Sequence, residues 1–222
     1  MNVTVKRLLL AALAGLIVTG VALADPLDPK VKYVPADVAR AKAIVLAQSD
    51  LGAAWTSRNS TQAASLKAPV CPSLRPDYSK MTLTGHAESV FDNGNGAVSI
   101  VSDVEIWKTK KQAVQHMGAL MKATLPTCIR YSLLKSLGGS GQATPLAPKR
   151  QKFPALGDVS MRYRAPVAYK VGKQTVIVAS DFVFLRKGRT EIYLNVTGPS
   201  NDPGLAALQV RVAKDLLARV RS

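Results

Sequence analysis

The chain has 222 residues and a formal net charge of +16, from 30 basic and 14 acidic residues. Its hydrophobic content of 47% is ordinary for a globular protein and excludes wholesale disorder. With 5% aromatic residues there is little to stack on bases, so we expect no specific nucleic-acid binding. The positive charge favours weak electrostatic contact with an anionic wall polymer or lipid surface.

Residues 1–24 have the features of a signal peptide. Lys6 and Arg7 precede an apolar stretch of about 15 residues, and Ala22 and Ala24 are small residues at the positions a signal peptidase reads. The stretch is shorter than the ~20 residues of a membrane-spanning helix. We therefore expect a secreted protein cleaved near Ala24, with an uncleaved anchor as the alternative. Cleavage leaves 28 basic and 14 acidic residues, a charge of +14.

The mature chain is expected to form one domain over 36–222, after a flexible, Pro-rich lead-in over 25–35. Apolar periodicity and turn residues predict its elements in chain order. They are a helix over 36–49, strands over 81–89 and 97–107, a helix over 108–125, strands over 158–169, 173–187 and 189–198, and a helix over 203–220. Strand runs with tight turns predict an α+β fold, an antiparallel sheet of about five strands packed against three helices.

Cys71 and Cys128 are the two cysteines of the chain. Two cysteines in an exported protein predict a disulfide, which here would tie a Pro-rich loop to the residues just beyond the second helix. The alternatives are weaker. A metal site needs more ligands, and His86 and His116 have no zinc-type spacing. A nucleophilic thiol needs a positioned histidine and must survive in an oxidising compartment.

Several segments resemble a group of exported actinobacterial domains: the extracellular sensor domain of PknH-type kinases and small lipoproteins with a PsbP/Mog1-like α/β/α sandwich. The matching words are "LAQSDLGAAWT" (46–56), "VCPSLRPDYSKMTLTGHAES" (70–89), "VSIVSDVEIWKTKKQAVQHM" (98–117), "TLPTCI" (124–129), "GDVSMRYR" (157–164) and "EIYLNVTG" (191–198). The resemblance implies an extracytoplasmic sensing or ligand-binding module. The chain departs from the kinases in having no kinase segment and cysteines for one disulfide instead of two.

Catalytic motifs are missing from the sequence, which has no G-x-S-x-G nucleophile elbow. His86 and Glu88 share one strand face, and Asp103 and Glu105 share another, so each pair is a candidate acid–base group. Nothing local desolvates them, and we predict ordinary solvated strand faces. His116, on the flank of the second helix, has the same interpretation. We therefore predict no catalytic residue, no metal site and no cofactor.

Trp107, Tyr163 and Tyr193 are candidates for lining a ligand groove between sheet and helix, although aromatic residues in such places are more often core. Three functions remain open. The first is a non-catalytic ligand-binding or sensor-like domain of the cell envelope, binding an unknown small molecule. The second is a basic structural protein held to anionic polymers or lipids, and the third is a secreted hydrolase. We expect a monomer.

Overall fold

The computed structural model describes residues 26–58, 71–93, 96–137 and 142–221. The predicted signal peptide lies outside these residues, as do Gly94 and Asn95 between the first two predicted strands. Of the described helices, none has the length and apolar character needed to cross a membrane.

A sheet of nine strands forms the middle of the molecule. The strands are β1 (Lys30–Val31), β2 (Trp55–Arg58), β3 (Thr82–Asn93), β4 (Ser99–Trp107), β5 (Ala143–Pro145), β6 (Lys149–Gln151), β7 (Val159–Val171), β8 (Gln174–Lys187) and β9 (Thr190–Pro199). Their order is β1-β3-β4-β9-β8-β7-β5, with β2 also pairing to β3 and β6 to β7. All pairs are antiparallel except β1 with β3. The five longest strands are the five predicted ones.

The helices lie on both faces of the sheet. They are α1 (Pro35–Ile44), α2 (Gln48–Leu51), α3 (Lys110–Leu120), α4 (Leu125–Ser136) and α5 (Gly204–Arg219). α1 and α5 cover one face, where they form the largest apolar core with β3, β4, β8 and β9. α3 and α4 cover the other face. The fold class is therefore α+β, as predicted, with an α/β/α layering.

The helical prediction needs three corrections. Pro126 does not end a helix, because it lies in the first turn of α4. Backbone N–H groups in a first turn have no acceptor within the helix, so the N–H that proline lacks is not needed there. Cys128 is consequently inside α4 and not beyond a helix, and it is bonded there to Cys71. The predicted helix over 36–49 ends at Ile44 and is followed by the single turn α2. The described residues contain four helices of ten or more residues instead of three, because α4 lies beyond the predicted second helix. The lead-in contains β1.

A buried ion pair fixes α1 against the sheet. Asp37, in the first turn of α1, accepts a hydrogen bond from Nη1 of Arg189 at 2.8 Å and one from the Thr84 hydroxyl at 2.7 Å. Gly85 permits this approach, because a Cβ there would lie 2.5 Å from the Asp37 carbonyl oxygen. α1 therefore packs against β3 as closely as the backbone allows.

Candidate functional site

Polar side chains form two rows across three neighbouring strands on the face covered by α3. In the strand register, Glu105 of β4 stands between His86 of β3 and Glu191 of β9. The next row, two residues along, places Asp103 between Glu88 and Tyr193. Residues directly opposite in an antiparallel pair point to the same side of the sheet, so these side chains share one surface.

Helix α3 adds His116 above the first row. The Thr109 hydroxyl caps the start of α3 by accepting a hydrogen bond from the Gln112 N–H at 3.2 Å. Ala113 and Met117 are buried and define the inward side of the helix, and His116 follows Ala113 by three residues, on that side. Its imidazole is therefore turned toward the sheet, with 14% of the side chain exposed. The prediction of a solvated His116 is wrong.

We call the acids and histidines of these two rows, together with His116, the carboxylate face. It contains both histidines of the chain, all three of its glutamates and one aspartate. Its members are His86, Glu88, Asp103, Glu105, His116 and Glu191.

The inner part of the carboxylate face is a hydrogen-bonded group around Glu191, which is fully buried. Its Oε2 lies 2.6 Å from Nδ1 of His116 and also accepts a hydrogen bond from the Tyr193 hydroxyl. Burial lowers the pKa of His116, but the hydrogen bond to Glu191 and the nearby carboxylates outweigh that effect and raise it. Burial strongly raises the pKa of Tyr193.

Glu105 lies between the histidines, and burial raises its pKa well above the ordinary value. The charges of Asp103 and Glu191 raise this pKa further, whereas His116 and His86 oppose the shift. Glu105 is partly exposed, but its Oε2 is buried, so the prediction that Asp103 and Glu105 share a solvated face holds for Glu105 only in part. A sequence window around β4 does not reveal these surroundings, because the charged groups that act on Glu105 lie also on β3, β9 and α3.

The outer part of the carboxylate face is more open to solvent. Nε2 of His86 lies 3.1 Å from Oδ1 of Asp103, and about a third of each side chain is exposed. The contact with Asp103 raises the pKa of His86, with smaller contributions from Glu105 and Glu88. Burial, together with the charge of Asp103, raises the pKa of Glu88 to about 7. The strand pairing therefore brings the two predicted pairs, His86 with Glu88 and Asp103 with Glu105, into one cluster.

Two of the three aromatic groove candidates belong to this site. The Trp107 ring is 4.6 Å from the His116 ring, centroid to centroid, and the Tyr193 hydroxyl is 3.2 Å from its Nδ1. Tyr78 contacts the same imidazole at 4.7 Å. Tyr163 lies elsewhere, in the core beneath α4. Trp107 and Tyr193 thus pack around a histidine of the carboxylate face.

Buried acids elsewhere in the molecule have arginine partners. Asp37 pairs with Arg189, as described above, and Asp181 with Arg164 through two hydrogen bonds of 2.8 Å. The carboxylate face differs from these. Among the described residues, the charges that shift the pKa values of Glu88 and Glu105 come from other acids and from the two histidines, and from no lysine or arginine.

Two subsets of the carboxylate face have the composition and spacing of metal ligands. One is His86, Glu88 and Asp103, and the other is Glu105, His116 and Glu191. Within each subset, the potential ligand atoms all lie within 4.8 Å of one another. From the sequence, pairing of the first two predicted strands would let Asp103 and Glu105 approach His86 across the ladder, as they do. His116 was not predicted to join them, and Glu191 had no predicted role. The sequence signal for this cluster was the small number of glutamates and histidines. All of them lie on strands and a helix that meet at one face of the sheet.

No protein-family model matches the chain, and no curated protein matches it. Among solved structures, the extracellular domain of PknH from Mycobacterium tuberculosis is similar, with a TM-score of 0.43 and 9% identity over 83% of this chain and 98% of that one. The Saccharomyces cerevisiae Ran-binding protein Mog1p has a TM-score of 0.27 and 14% identity, over 60% and 75% of the two chains. These are weak fold-level likenesses, and they do not identify what the chain binds.

Proposed function

We propose that this chain is an exported, non-catalytic binding domain that takes a positively charged ligand at the carboxylate face. The observation that carries the proposal is that four carboxylates lie together on this face. In the part of the chain that the structure describes, none of the charges that act on Glu88 and Glu105 belongs to an arginine or a lysine. Directly opposed like charges destabilise a sheet. Glu88 stands opposite Asp103, and Glu105 opposite Glu191. A bound cation would relieve both repulsions.

Export is supported by the signal-like N-terminus and by the Cys71–Cys128 disulfide. Structural disulfides persist in oxidising compartments and are rare in the cytosol. The resemblance to extracellular sensor domains in the sequence points the same way. A binding domain outside the cytoplasm is the simplest role that unites these features.

The absence of catalysis is supported by the partners of the two histidines. In the described residues, His116 is hydrogen-bonded to Glu191 and Tyr193, and His86 contacts Asp103. A covalent hydrolase of the serine or cysteine type would need a serine or threonine hydroxyl or a cysteine thiol within reach of such a base, and neither histidine has such a partner among the described residues. Turnover of an ester or glycoside panel that His86→Ala abolishes in a folded protein would contradict this part of the proposal.

The binding proposal is tested with hexaamminecobalt(III), a trivalent cation whose ammine ligands prevent direct coordination by protein atoms. The chain has two histidines, so their imidazole C–H signals in NMR spectra report on the face directly and are assigned with single substitutions. We expect both signals to shift on titration at low salt, and the shifts to weaken in Glu88→Gln. Asp215→Asn, which removes a half-exposed surface carboxylate, is the matched control. Unshifted signals would contradict the proposal.

A second candidate function is attachment to anionic polymers or lipids. It is favoured by the formal charge of +14 after signal cleavage. Such contacts are screened over ~8 Å at physiological ionic strength. Retention on anionic vesicles or wall polymer should therefore fall steeply with added salt, and salt-insensitive retention would contradict the idea.

A further inference from the structure

We propose that Glu105, His116 and Glu191 together bind one divalent transition-metal ion of the zinc class. The inference rests on the proposed function, because it names the ligand of the same face. It also replaces the sequence-based expectation of no metal site. The three residues come from β4, α3 and β9, so the site exists only when the helix is packed on the sheet.

The spacing of the three side chains fits a metal after small rotations. Their potential ligand atoms lie within 4.8 Å of one another. Zinc–ligand distances near 2.0–2.1 Å place tetrahedral ligand atoms about 3.4 Å apart. The Glu105 and Glu191 backbones are fixed opposite each other in the β4–β9 ladder, so the remaining gap would be closed by changes in side-chain torsion angles.

Unpaired buried oxygens point independently to a ligand. Glu191 is fully buried, yet its Oε1 has no hydrogen-bond partner among the described residues, and Oε2 of Glu105 is likewise buried without one. A buried polar atom without a partner costs free energy, and a charged one costs more. A cation between the two carboxylates would contact the oxygens that the protein itself leaves unsatisfied.

The donor atoms select the class of metal. One imidazole nitrogen with two carboxylates is a set that zinc and neighbouring divalent ions accept, whereas calcium and magnesium prefer oxygen ligands alone. Thiolate ligands are excluded among the described residues, because both cysteines are in the disulfide. The Tyr193 hydroxyl already donates to Oε2 of Glu191, and a hydrogen bond of this kind orients a carboxylate ligand.

The outer part of the carboxylate face lies beside this site and is partly exposed to solvent. His86 and Asp103 keep about a third of their side chains exposed. His86 stands directly opposite Glu105 on the adjacent strand. An ion held at the outer residues is therefore one strand away from the inner ones. The carboxylates of Glu88 and Asp103 would attract cations to this part of the face.

The test uses the full exported chain, stripped with EDTA and titrated with Zn²⁺ by isothermal calorimetry, with Co²⁺ absorption as a second readout of the ligand set. We expect one high-affinity Zn²⁺ per chain and no measurable heat with Ca²⁺. Glu191→Gln and His116→Gln should each weaken Zn²⁺ binding at least tenfold. Asp215→Asn, which removes a distant half-exposed carboxylate, should change the affinity less than twofold. NMR spectra of each variant establish that it is folded.

The outcomes separate this inference from the proposed function. Equal Zn²⁺ affinity in wild type, Glu191→Gln and His116→Gln would overturn the metal site, as would no Zn²⁺ binding at all. If Zn²⁺ fails while hexaamminecobalt(III) still shifts the His86 and His116 signals, the cation-binding function stands and the metal inference falls. If neither ion binds at the carboxylate face, both are wrong.

Discussion

Glu105 and Glu191 stand directly opposite each other on the adjacent strands β4 and β9, and each has a buried carboxylate oxygen without a hydrogen-bond partner among the described residues. Two acids in this relation repel each other when both are charged. A protein that kept them only for stability would gain from replacing either one. Under the proposed function their position is explained by a ligand, since binding sites commonly sacrifice stability for function.

Replacing Glu105 with glutamine should stabilise the metal-free protein. The raised pKa of Glu105 means that the folded state holds its proton more tightly than the unfolded chain, so wild-type stability falls as pH rises from the ordinary value of 4.5 through the folded pKa. At pH 9, in EDTA, we expect Glu105→Gln to raise the free energy of unfolding by about 1 kcal/mol. Urea denaturation measures the difference. Asp215→Asn should change stability by less than about 0.5 kcal/mol, and an equal gain there would contradict the explanation.

Asp37→Asn should be strongly destabilising, because it leaves Arg189 without its carboxylate partner. Breaking one side of a buried ion pair costs about 3 kcal/mol. The hydrogen bond from Arg189 contributes most to lowering the Asp37 pKa below 3.8, so the stabilisation is present above pH 3.8 and lost as pH falls through the folded pKa. Urea denaturation at pH 7 and pH 3 should show the wild-type advantage shrinking in acid.

The control for this ion pair is Asp92→Asn. Asp92 pairs with Arg58 at a more exposed position, where about a quarter of the Asp92 side chain is accessible. An exposed pair contributes less than about 1 kcal/mol. A loss at Asp92 as large as that at Asp37 would show that burial does not set the difference.

Gly85→Ala and Gly118→Ala should have opposite effects. A Cβ at Gly85 would lie 2.5 Å from the backbone oxygen of Asp37, so α1 must move away and we expect a loss of about 3 kcal/mol. Gly118 lies in α3, and an alanine Cβ at this position would have no non-local atom within 4 Å. Alanine there should stabilise the helix by about 0.5–1 kcal/mol. Thermal unfolding of both variants tests the pair. A tolerated alanine at position 85 would contradict the close packing of α1.

Reduction of the Cys71–Cys128 bond should destabilise the protein without changing its fold. The bond closes 57 positions of chain, for which chain entropy gives about 4 kcal/mol as an upper value. The Cys71→Ala/Cys128→Ala double variant should show the same loss under oxidising conditions and no further change with reductant. Peptide mapping of the exported, non-reduced protein should recover the linked pair, and free thiols at both positions would contradict the assignment.

The local sequence pattern predicted the strands and helices whose apolar residues recur with a regular period. Alternation in "MTLTGHAES" and the apolar run before Leu185 predicted strands that the structure contains as β3 and β8. The stripe of Leu205, Val212 and Leu216 likewise predicted α5. The break between α3 and α4 escaped prediction, because a proline ends one helix or begins the next equally well, and only packing decides which.

The sequence by itself established that the chain has few glutamates and histidines. It also established that His86 and Glu88 share one strand face, and that Asp103 and Glu105 share another. Only the tertiary structure decided that these pairs oppose each other, that β9 adds Glu191 and that α3 lowers His116 onto them. The physical reason is that burial depends on what covers a side chain. The imidazole that contacts Glu191 belongs to His116, which is 75 positions away in the chain. A period of two fixes which face a side chain takes, and the strand order fixes what it meets there.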